Sequence, residues 1–96
     1  DFNNSIIWDK KGNDNNFNNI NDHFEDLGFV SNYHKLKDEG FGKESYATFF
    51  HTKKESKKYH IDYIYSKNLN PLELRVGSYT DWISYSDHSP LIAELT

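Results

Sequence analysis

Residues 47–66, ATFFHTKKESKKYHIDYIYS, decide the fold of this chain. Two runs rich in aromatic and β-branched residues, 47–52 and 59–66, flank the polar segment 53–58. This pattern is typical of two antiparallel strands joined as a hairpin. A lysine-rich tip is an ordinary solvated hairpin turn, although its lysines could also contact a phosphate. We therefore predict two neighbouring strands here, with the polar segment as their turn.

The residues before this hairpin predict one main helix. Apolar residues recur at helical spacing up to Gly28, which suits a C-terminal cap, so we expect a helix over roughly residues 15–27. Its polar face is rich in Asn and Asp, which are poor helix formers, so packing must hold it. Residues 29–34 are predicted to be a short extended or turn segment, and residues 35–45 a loop.

The residues after the hairpin predict two more strands. Residues 72–78 alternate apolar and charged side chains, as a half-buried strand does. Residues 79–82 look like a turn, and Pro90–Leu95 is the predicted final strand, since proline is tolerated at a strand start. We expect the α+β class: one main helix and an antiparallel sheet of about four to five strands.

Composition limits the classes of function. The chain has 96 residues, enough for one domain, and its aromatic share of 17% predicts a core built from Phe and Tyr more than from Leu and Val. A net charge of −4 argues against binding nucleic acid through a broad basic face. The lack of cysteine excludes disulfides and thiolate metal sites, and no apolar run is long enough to span a bilayer. We expect a cytoplasmic protein without a membrane partner.

Five polar residues are candidates for a reaction centre. Asp1 and Asn3 lie one residue apart, so extended backbone would place both side chains on one face. Asp62 interrupts an aromatic strand, where a buried carboxylate needs a partner. Asp87 and His88 directly precede the final strand. A carboxylate that orients an imidazole, beside one that holds a divalent cation, is workable phosphoryl-transfer chemistry.

Structural interpretations of the same residues stay open. Asp87 and His88 could form a turn with satisfied side chains, and Asp62 could have a purely structural partner. His60 and Asp62 alternate with their neighbours and are expected to share one face of the strand. His34 has no spacing to other residues that predicts a metal site.

Three motifs together resemble the C-terminal half of the endonuclease/exonuclease/phosphatase superfamily, which includes DNase I and exonuclease III. They are Asp1-Phe2-Asn3 for the family's G-D-F-N, His60-Ile61-Asp62-Tyr63-Ile64 for its [RH]-I-D-Y-[IV], and Ser86-Asp87-His88-Ser89-Pro90-Leu91 for its closing S-D-H-x-P-[LIV]. The resemblance covers residues 1–96 as the C-terminal portion of one such domain. It implies half of a four-layer αββα sandwich, with the N-terminal half absent.

The resemblance also implies roles in hydrolysis of a phosphodiester or phosphomonoester. Asp1 would activate the attacking water, and Asn3 would help to place it. His88 would contact the scissile phosphate, and Asp62 would accept a hydrogen bond from the other ring nitrogen of His88. Asp87 would lie at the site of Mg²⁺ or Mn²⁺.

The same resemblance implies that important groups are missing. The family's N-terminal half supplies a metal-binding Glu, so this chain alone is expected to be inactive. Without that half one sheet face would be uncovered, and an exposed apolar face is expected to promote self-association. A second hypothesis is a non-catalytic interaction module of the same fold. A third is an unrelated α+β binding domain, in which Asp62 and His88 would have no reason to meet.

Overall fold

A computed structural model of the protein describes residues 2–12 and 16–96. Its helices are α1 Phe17–Asp26, α2 Asn32–Lys37 and α3 Tyr79–Trp82. Its strands are β1 Val30–Ser31, β2 Phe49–Phe50, β3 Lys58–Tyr59, β4 Tyr65–Ser66, β5 Pro71–Val76 and β6 Leu91–Leu95. Within the described residues the strands form three two-stranded antiparallel sheets: β1 with β4, β2 with β3, and β5 with β6. Short helices with antiparallel strands agree with the predicted α+β class.

Helix α1 is present where the apolar spacing predicted it. The carboxylate of Asp9 begins the helix, accepting hydrogen bonds from the amides of Phe17 at 2.6 Å and Asn18 at 2.9 Å. These bonds satisfy amides that have no partner inside a helix. Gly28 follows the helix with φ +88°, as expected of a glycine cap. The predicted start at residue 15 lies outside the described residues.

Residues 29–34, predicted to be a short extended or turn segment, are extended at β1 but helical from Asn32 onwards. Only β1 is extended, and α2 follows it directly, covering part of the predicted loop. Asn32 and Tyr33 are fully buried, and Asp38 ends the helix in the left-handed conformation, with φ 54°. A six-residue helix has little stability of its own, so burial of its first turn decides this conformation.

The two strands of residues 47–66 pair as predicted but are much shorter. Strand β2 ends in a 3₁₀ turn, where Thr52 and Lys53 have φ of 53° and 58°. Beyond β3, the amides of Ile61 and Asp62 both donate to the hydroxyl of Thr48, at 3.0 and 3.2 Å. Consecutive amides of a regular strand point in opposite directions, so this double contact interrupts the strand. The predicted single sheet is therefore replaced by short separate sheets.

The chain before and within β2 lies between two other segments. On one side the amide of Thr48 donates to the carbonyl of Tyr59 at 2.9 Å. On the other side the amide of Phe50 donates to the carbonyl of Asp87 at 2.8 Å. The amide of Ser89 donates to the carbonyl of Thr48, also at 2.8 Å. Backbone pairing thus brings residues 87–89 alongside the hairpin, and this places the candidate site.

Strands β5 and β6 confirm the two predicted C-terminal strands to within two residues at each end. Ser78 caps the short helix α3 between them, its hydroxyl accepting from the amide of Asp81 at 3.2 Å. The predicted turn at residues 79–82 is therefore a single helical turn. No helix in residues 2–12 and 16–96 is long and apolar enough to cross a membrane.

The core is aromatic, as the composition predicted. Rings of Phe17 and Tyr63 stack with centroids 4.7 Å apart, and those of Phe24 and Tyr65 do the same. Stacked pairs add to the free energy gained by burying their area. The buried apolar residues are Phe17, Tyr33, Phe50, Ile61, Tyr63 and Leu74.

Candidate functional site

Asp62 and His88 meet, as the motif resemblance implied. The Asp62 carboxylate lies 2.8 Å from Nδ1 of His88. A carboxylate only accepts hydrogen bonds, so the proton must be on Nδ1 and the tautomer of His88 is fixed. The side chains are 16% and 29% exposed, so the pair is shielded from bulk water without being sealed from it.

His88 is held by three contacts, one to its backbone amide and two to its ring. The hydroxyl of Ser86 accepts a hydrogen bond from the His88 amide at 3.0 Å. The ring packs against Phe49, with centroids 4.9 Å apart, and the carboxylate of Asp62 holds Nδ1. A ring that is oriented before substrate arrives loses less freedom on binding, which favours catalysis.

Thr48 joins the two halves of this pair. It is fully buried, and its hydroxyl accepts from the amides of Ile61 and Asp62. Its carbonyl accepts from the amide of Ser89, the residue after His88. Thr48 therefore fixes the backbone beneath both Asp62 and His88, and sequence analysis did not identify it.

The N-terminal segment lies next to the same strand. The amide of Phe2 donates to the carbonyl of Ile61 at 3.2 Å, which brings Asn3 close to Asp62 along the backbone. Asn3 is exposed and has φ 51°, a left-handed conformation that asparagine tolerates. The prediction of extended backbone at Asn3 is therefore wrong. Asp1 lies outside the described residues, so its predicted role stays a prediction.

Asp87 borders the pair without joining it. Its carboxylate oxygen lies 3.9 Å from Nε2 of His88, and the side chain is 47% exposed. A half-exposed carboxylate is an oxygen ligand of the kind Mg²⁺ prefers, but Mg²⁺ takes about six ligands. Asp87 could supply one of them.

A shallow groove of about 550 Å³ opens beside the pair. Asp62 and His88 form its polar part, while Trp82, Pro90 and Leu91 form an apolar wall. Apolar walls with a few convergent polar groups are typical of ligand sites. The groove can therefore admit a small substrate or an end of a larger one.

No family profile, curated protein or solved structure matches this chain. The resemblance described above rests on the three motifs alone, and the geometry of the site must carry the functional argument.

A second polar cluster lies in the core, and sequence analysis missed it. Nε2 of His34 is 2.6 Å from the carboxylate of Glu44, and one ligand atom from each of His34, Glu44 and His60 lies within 4.8 Å of the others. His34 has no metal-type spacing in the sequence, and the grouping with Glu44 and His60 forms only through the fold. His60 and Asp62 also have different surroundings, because the interrupted strand leads His60 into the core and Asp62 to the groove. No local spacing signals a cluster built from three separate segments.

Electrostatics keeps this buried cluster in a defined charge state. Burial alone would raise the pKa of Glu44, but hydrogen bonds from His34 and nearby amides outweigh it and lower that pKa. Burial lowers the pKa of His60 below its ordinary value. Near neutral pH the cluster therefore holds a carboxylate beside a neutral His60 ring.

Proposed function

We propose that this chain carries part of the reaction centre of a metal-dependent phosphoesterase, acting on a phosphodiester or a phosphomonoester. The observation that supports the proposal is the 2.8 Å contact between Asp62 and Nδ1 of His88 at the edge of a groove. An unrelated fold with accidental motif matches gives these residues no reason to meet. The resemblance, the contact and the groove favour the same chemistry.

In the proposed reaction His88 donates a hydrogen bond to a phosphoryl oxygen. Donation from Nε2 while Nδ1–H is held by Asp62 requires the doubly protonated ring, whose charge the Asp62 carboxylate compensates. Asn3 would position the attacking water from the neighbouring segment, with Asp1 as the proposed activating base. Stabilising charge on the phosphoryl oxygens accounts for most of the catalysis of phosphoryl transfer.

Mg²⁺ or Mn²⁺ is the proposed cofactor, and Asp87 is its proposed ligand in this chain. A bound cation would neutralise charge on the phosphate. The rest of its ligands would come from substrate, water and the family's N-terminal half, which includes a metal-binding Glu. We propose that the described chain is the C-terminal part of such a four-layer sandwich and has no significant turnover alone.

The decisive experiment measures hydrolysis by the chain alone and by the chain joined to an N-terminal half of the domain. One phosphodiester and one phosphomonoester serve as substrates, each with and without Mg²⁺. The completed domain should hydrolyse one of them only with metal. His88→Ala should lower kcat by about 10²- to 10³-fold, the effect of removing one charge-stabilising donor.

Matched controls separate chemistry from folding. His23 is exposed on α1, so His23→Ala should leave turnover unchanged. Asp62→Asn keeps the size of the side chain and should lower turnover by roughly 10- to 100-fold, as loss of an orienting partner does. A folded, completed domain without hydrolysis, or one unaffected by His88→Ala, would favour a non-catalytic interaction module.

Self-association and a cytoplasmic location stay parts of the proposal. Leu72 and Ile92 on the β5–β6 pair are about half exposed, and Trp82 beside the groove is 40% exposed. Exposed apolar area of this kind favours association. Light scattering across a concentration series should show a rising mass, and a constant monomer mass would contradict this part.

A further inference from the structure

The buried cluster of His34, Glu44 and His60 has the composition of a transition-metal site. The His34 and Glu44 side chains are 7% and 5% exposed, and His60 is buried. Two imidazole nitrogens and one carboxylate oxygen are a ligand set that zinc uses in proteins. Mg²⁺ prefers oxygen ligands, so this cluster differs in chemistry from the candidate site at Asp87.

The tautomer of His60 leaves its Nε2 with a lone pair that is available to a ligand. Nδ1 of His60 lies 2.9 Å from the carbonyl of Tyr46, and a carbonyl can only accept, so Nδ1 carries the proton. In the neutral ring Nε2 is then an acceptor. Among the described residues this buried Nε2 has no hydrogen-bond partner. An unsatisfied acceptor beside an ionised carboxylate is costly, and a cation between them removes that cost.

His34 is prepared for the same role from its other side. Its Nδ1 lies 2.7 Å from the hydroxyl of Ser31, which can either donate or accept. With Ser31 accepting, the proton moves to Nδ1 and Nε2 is released from Glu44 to bind a metal. Histidine ligands in proteins usually donate their second ring nitrogen in this way. Phe41 stacks on the His34 ring at 3.7 Å and keeps it in place.

A cavity of about 150 Å³ reaches this cluster, with Glu44 and His60 in its wall. It has room for water, so it can provide both a path for the ion and a fourth ligand. The amide of Gly42 donates to the Glu44 carboxylate at 3.1 Å and holds it at the cavity.

We propose that His34, Glu44 and His60 bind one divalent transition-metal ion, with zinc the best match, and that a water from the cavity completes the coordination. Tetrahedral bonds of roughly 2.0–2.1 Å place neighbouring ligand atoms about 3.3 Å apart. The 2.6 Å His34–Glu44 contact must therefore widen, and the widest separation, within 4.8 Å, must close. The widest separation would change by at most about 1.5 Å, which two side chains can share. This site is independent of the proposed phosphoesterase.

The test uses the metal-stripped chain and Zn²⁺ alone. Calorimetry should show binding of one ion, and thermal unfolding should shift upward with added zinc, because a ligand that binds only the folded state stabilises it. ¹⁵N spectra should show Nε2 of both His34 and His60 changing on saturation. No binding, or binding that leaves both Nε2 signals unchanged, would overturn the proposal and indicate a cavity water as the partner of His60.

Variants locate the ion. Glu44→Gln keeps the size of the side chain but removes the charged ligand. It should weaken zinc binding by more than roughly 10- to 100-fold, the loss typical when a residue that only hydrogen-bonds to a metal ligand is replaced. His60→Asn keeps a donor for the Tyr46 carbonyl but removes Nε2, and should weaken binding similarly. His23→Ala, on the exposed face of α1, should not change affinity. If Glu44→Gln binds zinc as tightly as the wild type, or if His88→Ala abolishes binding, the proposed site is wrong.

Discussion

Replacing Thr48 with valine tests how the candidate site is held together. Valine has nearly the shape of threonine but removes the hydroxyl that accepts the amides of Ile61 and Asp62. Leaving a buried donor unsatisfied costs about 1–3 kcal/mol, so two donors, one of them only partly buried, put the expected loss at about 2–4 kcal/mol. That is a large part of the 5–15 kcal/mol that stabilises a typical domain.

The matched control is Thr48→Ser, which keeps the hydroxyl and loses one methyl group. Loss of one buried methyl typically costs about 0.5–1.5 kcal/mol. Urea denaturation followed by tryptophan fluorescence should therefore rank wild type above Thr48→Ser and Thr48→Ser above Thr48→Val. The Nδ1 proton of His88 should also exchange faster in Thr48→Val. If Thr48→Val is as stable as Thr48→Ser, the hydroxyl does not organise this site.

Two further predictions concern a close contact and a carboxylate. A Cβ on Gly77 would lie 2.6 Å from Cδ of Pro90 and 2.6 Å from the indole ring of Trp82, so Gly77→Ala should cost about 1–3 kcal/mol in urea denaturation. Gly40→Ala, whose Cβ has no neighbour nearer than 3.9 Å, should not, and equal midpoints would show that both Pro90 and Trp82 move aside freely. The hydroxyl and amide of Ser45 lower the pKa of Glu39 from 4.5 to about 2, so Glu39 stabilises the fold above pH 4.5 and this contribution is lost as the pH falls towards 2. Glu39→Gln should lower stability at pH 7 and flatten its dependence on pH between these values, and an unchanged profile would contradict the pairing with Ser45.

The parts of the fold that the sequence predicted have local causes. Helix α1 follows from apolar residues at helical spacing, and β6 begins directly after the predicted Pro90. Strand β5 lies where alternation predicted it, but the alternation fails at Leu72, which is 55% exposed beside a register shift between Pro71 and Glu73. The contact of Asp62 with His88 came instead from motif resemblance, because 26 residues separate the two and no local pattern joins them.

The parts that the sequence did not predict depend on burial. Helix α2 has six residues and gains its stability from burying the Tyr33 ring, which helix propensity does not reflect. The strand after β3 has a strong β-forming composition, yet the hydroxyl of Thr48 attracts two consecutive amides and interrupts it. A distant hydrogen bond thus outweighs local propensity at the centre of the site.

That interruption explains how His60 and Asp62, only two residues apart, come to lie in different surroundings. In a regular strand His60 and Asp62 would lie on one face and share one environment. Because Thr48 holds the amides of Ile61 and Asp62 together, His60 enters the aromatic core beside Glu44, while Asp62 reaches His88 at the groove. His60 and Asp62 are therefore near neighbours in sequence but lie in separate environments, and the hydroxyl of Thr48 is bonded to the backbone between them.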